Sequence, residues 1–129
     1  MSWQKAQSLL VEVLNIVKSM PNDRVSSILA QQIIRSSSAI GANIAEGHGR
    51  YSAGAYRNHL SIARGSTTET ISWLDALKRG GYISADAELR LNGDCEDIMN
   101  LISAEMIQLD KATRTDRSLR DDREEYVVD

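Results

Sequence analysis

The sequence predicts an all-α protein, an antiparallel up-down-up-down four-helix bundle, and three observations carry that expectation. Apolar residues recur every three, four or seven positions over long stretches, which lays one buried stripe along a helix. One proline and no phenylalanine occur in 129 residues, so little interrupts long helices. The pattern breaks only near Pro21, the Gly47-His48-Gly49 run and the Gly80-Gly81 pair, and links that short make consecutive helices antiparallel neighbours.

The first helix is expected from Trp3 to Met20, with Trp3, Ala6, Leu10, Val13, Val17 and Met20 inward and Leu9, Leu14 and Ile16 thickening the stripe. Pro21 ends it, because the residue before a proline is pushed out of helical geometry. Asn22 or Asp23 can cap the second helix, expected from Arg24 to Glu46. Its anchors are Leu29, Ile33, Ile40 and Ile44, and between them stand Ser36, Ser37, Ser38, Ala39, Gly41, Ala42 and Ala45. A helix interior normally avoids such a load, since glycine costs about 1 kcal/mol relative to alanine and serine competes for backbone hydrogen bonds. The compensation expected is close approach of another helix. The Gly47-His48-Gly49 run then stops the helix, with a glycine available for a left-handed cap.

Ser52 is the expected N-cap of the third helix, Ala53 to Arg79. Its stripe of Tyr56, Leu60, Ala63, Thr67, Thr70, Leu74 and Leu77 is small and polar at the middle, where Gly65 and Ser66 are expected beside the small residues of helix two. Ser84 caps the fourth helix, and Asp86 and Glu88 in its first turn complement the positive end of the helix dipole. Leu91, Cys95, Ile98, Ile102 and Leu109 form its inner stripe, with Met99 and Met106 as adaptable filling. Residues 1–112 are therefore read as the bundle, and residues 113–129 as a charged extension of helix four or a flexible tail.

At 42% hydrophobic and 26% charged residues, the chain is expected to hold one substantial core and to behave as an ordinary folded domain. A lone cysteine, Cys95, has no internal disulfide partner, which suits a reducing compartment. The first twenty residues are interrupted by Gln4, Lys5, Gln7, Glu12, Asn15 and Lys18, so neither a signal peptide nor a membrane span is expected and the cytoplasm is the default address. The net charge of −3 divides as +1 over residues 1–20, +3 over 21–82 and −7 over 83–129. Either the basic middle meets an anionic partner such as nucleic acid, or the two halves satisfy one another within or between subunits. The acidic total favours the second.

Catalytic chemistry is sparse. His48, His59 and Cys95 are the only soft metal ligands and none has ligand-pair spacing, so no metal or cofactor is expected. No serine sits in a strand-turn-helix elbow, and the Gly47-His48-Gly49 run lacks the preceding strand and spacing of a phosphate loop. Glu46 and Glu69 are candidates for paired acid and base work. The reading preferred is a structural polar network with Asn43, Ser66, Arg35 or Arg64, so that Glu46→Ala would lower the melting temperature or break an oligomer. Arg50, Arg57 and Arg64 recur every seven residues, with Lys78 in the same register after Ile71. They form either a phosphate-tracking strip beside Tyr51, Tyr56 and His59, or a solvated or intersubunit face opposite acids such as Asp94, Asp97 and Glu105. Val11, Ile34, Ile62, Trp73, Leu101 and Ile107 fall outside the inner stripes, which implies a second buried surface and self-association.

The run IGANIAEGHGRYS, followed by HLSIARGSTTE from His59 to Glu69, resembles the bacterial four-helix-bundle family encoded in intervening sequences of large-subunit ribosomal RNA genes, and more distantly the accessory variability protein of diversity-generating retroelements. The resemblance spans Gln31 to Tyr82 and departs from the usual family residues at Tyr56, usually Phe, and Thr70, usually Leu. It implies a homopentameric ring, and hence a heterologous interface in which one face of each subunit meets a different face of the next. It also implies nucleic acid or a reverse transcriptase as partner, as in the retroelement relatives. The function expected is non-catalytic binding or scaffolding of structured RNA through Arg50, Arg57, Arg64 and Lys78, the alternative being a protein-interaction accessory with no direct nucleic-acid contact.

Overall fold

The computed structural model describes the backbone of residues 1–127 and the side chains of residues 1–115. Four helices follow one another: α1 Ser2–Lys18, α2 Arg24–His48, α3 Ala53–Arg79 and α4 Ala85–Val127. Among the described residues each packs on two neighbours, α1 on α2 and α4, and α3 on α2 and α4. The bundle is thus a closed square with consecutive helices side by side.

The helix ends follow from local chemistry. At the start of α2, Asp23 accepts from the Ser26 N–H at 2.8 Å, and at the start of α3 Ser52 accepts from the Ala55 N–H at 3.1 Å. Ser84 does the same for Ala87 at 3.1 Å before α4; each side chain satisfies one donor that a helix start leaves unpaired. Two expectations shift. Gly49 has φ −81° and closes α2 in right-handed geometry, because two more residues, Gly47 and His48, continue the helix. The left-handed residue is Gly81 at φ +82° in the third link, where the turn demands a conformation that side chains disfavour.

The core takes Ala6, Leu9 and Val13 from α1, Ile33, Ile40 and Ile44 from α2, Leu60, Ala63, Leu74 and Leu77 from α3, and Leu91, Cys95, Ile98 and Ile102 from α4, all essentially inaccessible. Each large member gains about 1.5–3 kcal/mol from burial relative to exposure. Ile34 and Trp73, expected outside the stripe, pack against this core, whereas Val11, Ile62 and Ile107 stay exposed. The middle of the α2–α3 interface is polar and small: Ser36, Ser37, Thr67 and Thr70 are buried. Ser37 and Thr67 donate one turn back, to the carbonyls of Ile33 at 2.6 Å and Ala63 at 2.8 Å. Thr70 Oγ1 lies 2.9 Å from the Ser36 hydroxyl across the interface and 2.9 Å from the Ser66 carbonyl. Gly65 does not join this seam. It is exposed, and a Cβ added there meets nothing within 4 Å, because it falls on the side of α3 turned from the core.

Candidate functional site

The candidate site lies at the end of the bundle where α1 starts, α2 ends, α3 starts and α4 passes by. Glu105, on α4, accepts from the Ser2 hydroxyl at 2.7 Å and from the Tyr56 hydroxyl at 3.0 Å. Tyr56 has one proton and a carboxylate can only accept, so the 3.1 Å contact between Tyr56 Oη and His48 Nε2 is a bond that the imidazole donates. His48 is thereby set with Nε2 protonated. The two rings pack with centroids 4.7 Å apart and planes tilted by 41°. Ser2, Glu105, Tyr56 and His48 thus join all four helices through three hydrogen bonds. Burial first, then the hydrogen bond to Glu105 and its negative charge, push the Tyr56 phenol up to about 12.

Beside this chain, Asn43 donates to the Ala39 carbonyl at 2.9 Å, which turns its oxygen toward His59 Nδ1 at 3.2 Å. That contact is a bond only with His59 protonated at Nδ1. Gly47 permits the whole arrangement, since a Cβ there would stand 2.7 Å from the Tyr56 ring and 3.0 Å from His59 Cβ.

Of the five residues expected in one polar network, two meet directly: Arg35 pairs with Glu69 and also donates to Gln32 at 3.0 Å. The guanidinium holds the Glu69 carboxyl below the usual carboxylate range. Asn43 belongs with His59, Ser66 contributes only its carbonyl to Thr70, and Glu46 stands apart, half exposed and paired with Arg50 at 2.6 Å. The polar residues therefore form separate small groups, because Glu46 stands about three turns, roughly 16 Å, further along α2 than Arg35.

Arg50 follows α2 and Arg57, Arg64 and Lys78 ride on α3, all exposed. A seven-residue repeat on a 3.6-residue helix drifts by about 20° per heptad, so the strip winds slowly along α3. Two of its cations have partners within the chain: Arg50 takes Glu46, and Arg57 donates to Asp110 on α4 at 2.7 Å. Arg64 and Lys78 make no ion pair among the described residues. Of the aromatic groups expected beside the strip, Tyr51 is fully exposed, whereas Tyr56 and His59 are half-buried and hydrogen-bonded. Two of the three acids named opposite the strip are engaged elsewhere: Asp97 pairs with Lys5 at 3.3 Å, and Glu105 holds Ser2 and Tyr56.

Sequence reasoning missed Ser2 and set Glu105 only among the acids opposite the strip, because no local spacing links residues 103 positions apart. Tyr56 carried the one available signal, as a hydroxyl standing where the resembling family has a plain ring. No group of three or more His, Cys, Asp or Glu residues that could hold a metal ion occurs among the described residues, and no helix among them is long and apolar enough to cross a membrane.

Fold and site together define a class: a small all-helical bundle whose polar groups tie helices to one another and whose surface carries exposed cations and isolated apolar side chains. Comparison with known proteins places the chain within that class. Residues 1–104 match the 23S rRNA-intervening sequence protein family, and the chain belongs to it. A solved structure from Bacteroides thetaiotaomicron VPI-5482, described as a protein of unknown function from the S23 ribosomal protein family, is similar at a TM-score of 0.77 and 30% identity over 82% of this chain and 98% of that one. No curated protein matches the chain.

Proposed function

We propose that this chain is a non-catalytic, oligomeric binding protein of the cytoplasm whose ligand is structured RNA. The observation that carries the reading is the exposure of Arg64 and Lys78 without an acidic partner among the described residues, on the same helix that the exposed Arg50 and the fully exposed Tyr51 precede. Cations left unneutralised by their own fold attract phosphate and release counterions on binding, and an open phenol offers a face on which an unpaired base can stack. The family's association with intervening sequences of 23S rRNA supports RNA over DNA as ligand.

Binding of RNA hairpins with single-stranded loops, measured between 50 and 200 mM salt, tests this. The affinity should fall steeply with salt, and Arg64→Glu combined with Lys78→Glu should lower it about tenfold or more and flatten the salt slope by roughly one to two. Unchanged affinity in the double variant would end the proposal. Arg57 is a poor probe, since its ion pair with Asp110 couples any charge reversal to α4 packing.

A second reading follows from Val11, Ile62 and Ile107, which are exposed on three different helices. In that reading the chain is a protein-interaction accessory, for example of a reverse transcriptase, and makes no direct nucleic-acid contact. A co-encoded protein should then copurify in fixed proportion, and RNA affinity should be absent.

A further inference from the structure

A pocket of about 380 Å³ opens where the first turn of α1 meets the end of α2, lined by Met1, Ser2, Trp3, Gln4, Ala45 and His48. No Asp, Glu, Lys or Arg side chain is in that lining, so its side chains favour an uncharged group. Trp3 remains 42% exposed, which leaves indole surface open for contact. His48 is fixed from behind by Tyr56, itself held by Glu105 at 3.0 Å. That backing is not needed to end the helix, because the Gly49 and Arg50 N–H groups already close α2 on the backbone carbonyls of Glu46 and Gly47. Its effect is an imidazole anchored through Nε2, while the Gln4 amide adds a donor and an acceptor. Sites of this size commonly take small ligands on mostly apolar walls with a few placed polar groups.

A flat, uncharged ring system with donors and acceptors along its edge matches these walls, and that is the chemistry of a nucleobase. We propose that the pocket between Trp3 and His48 holds one unpaired nucleobase, stacked on the indole and hydrogen-bonded at its edge by His48 and Gln4. The inference rests on the RNA reading above and extends it from the α3 strip to the α1–α2 end.

The test compares the whole protein's affinity for a short single-stranded oligoribonucleotide, for the same strand made abasic, and for adenosine and uridine monophosphates. The abasic strand should bind about tenfold more weakly, and Trp3→Ala should weaken the intact strand by a similar factor while leaving the abasic one unchanged. Trp3→Phe should restore most of the loss, and His48→Ala should lower affinity for the intact strand. Mononucleotide binding that Trp3→Ala removes, without any binding of RNA, keeps the pocket and ends the RNA reading. Equal binding of intact and abasic strands overturns the pocket, and does so with the RNA reading intact if Arg64→Glu with Lys78→Glu still weakens both. Binding of neither RNA nor mononucleotide overturns both proposals. Should Trp3→Ala fail to fold, the abasic comparison and Trp3→Phe decide alone.

Discussion

Gly41 and Gly47 both stand inside α2, yet a methyl group added at each would meet different things. At Gly41 the nearest atom is the Gln7 side-chain oxygen at 2.6 Å, the far end of a flexible chain that can move aside. At Gly47 it is the Tyr56 ring at 2.7 Å and the His59 Cβ at 3.0 Å, both held by hydrogen bonds of their side chains. Gly47→Ala is therefore expected to cost about 1–3 kcal/mol by overpacking, whereas Gly41→Ala should be near neutral, its gain in helix propensity offsetting the displacement of Gln7. Denaturant unfolding of the two variants checks the contrast. Tyr56 makes a second prediction. Its folded-state pKa of about 12 lies above the ordinary 10.0, so between those values the unfolded chain ionises first. Stability contributed by the neutral phenol is present below pH 10 and lost as pH rises toward 12. Tyr56→Phe should flatten the alkaline fall that thermal melts across this window record. The Cys95 thiol, raised by burial to about 12, leaves a residual slope in that variant.

At the scale of elements, α2, α3 and the first half of α4 are bound by their stripes, and α4 then outruns them. It has 43 residues against 27 in α3, a difference of roughly 24 Å at 1.5 Å per residue. The family match stops at residue 104, and among the described side chains the last packed against the core are Met106 and Leu109. A chain truncated after Thr115 should keep its melting temperature within a few degrees and lose helical signal in proportion to the residues removed; a collapse of the melt would mean that the extension carries part of the fold. The helices themselves were legible from the sequence because the 3.6-residue period is a local property. Residue side was legible for the same reason, and it failed at Gly65, where a small residue was assigned to the seam although its register turns it outward. Likewise the glycine pattern marks Gly47 as a turn residue, but its absent side chain serves contact with Tyr56, a partner on the next helix that spacing does not reveal.

Across the whole molecule, charge follows the helices: α1 and α2 each carry +1, α3 +2 and α4 −6. In a square bundle α4 lies diagonally opposite α2, so one corner of the cross-section is strongly acidic and the rest basic. A ring built by heterologous contact, the assembly expected from the family resemblance, would set unlike faces together. Size measurement by light scattering should then report an oligomer that loosens as salt shortens the screening length from about 10 Å at 0.1 M to 3 Å at 1 M. Glu46 gives this expectation a sharper edge. Its pair with Arg50 is an exposed i,i+4 contact, worth about 0.3–0.5 kcal/mol, so Glu46→Ala should barely move the stability of an isolated subunit. A variant that falls apart as an assembly while its subunit stays stable would place Glu46 at a subunit interface; one that does neither would leave it a surface residue.

What the sequence determined by itself was the kind of molecule: four amphipathic helices, their order, their caps at Ser52 and Ser84, and the small polar seam of α2 against α3. Those depend on periodicity and on bonds spanning three or four residues, and such information is written locally. Only the tertiary structure decided which polar groups meet. Arg35 with Glu69, Asn43 with His59, Arg57 with Asp110, and Glu105 with Ser2 and Tyr56 are contacts between helices, fixed by the relative rotation and height of packed rods. Small changes in either would exchange one partner for another without altering any local pattern.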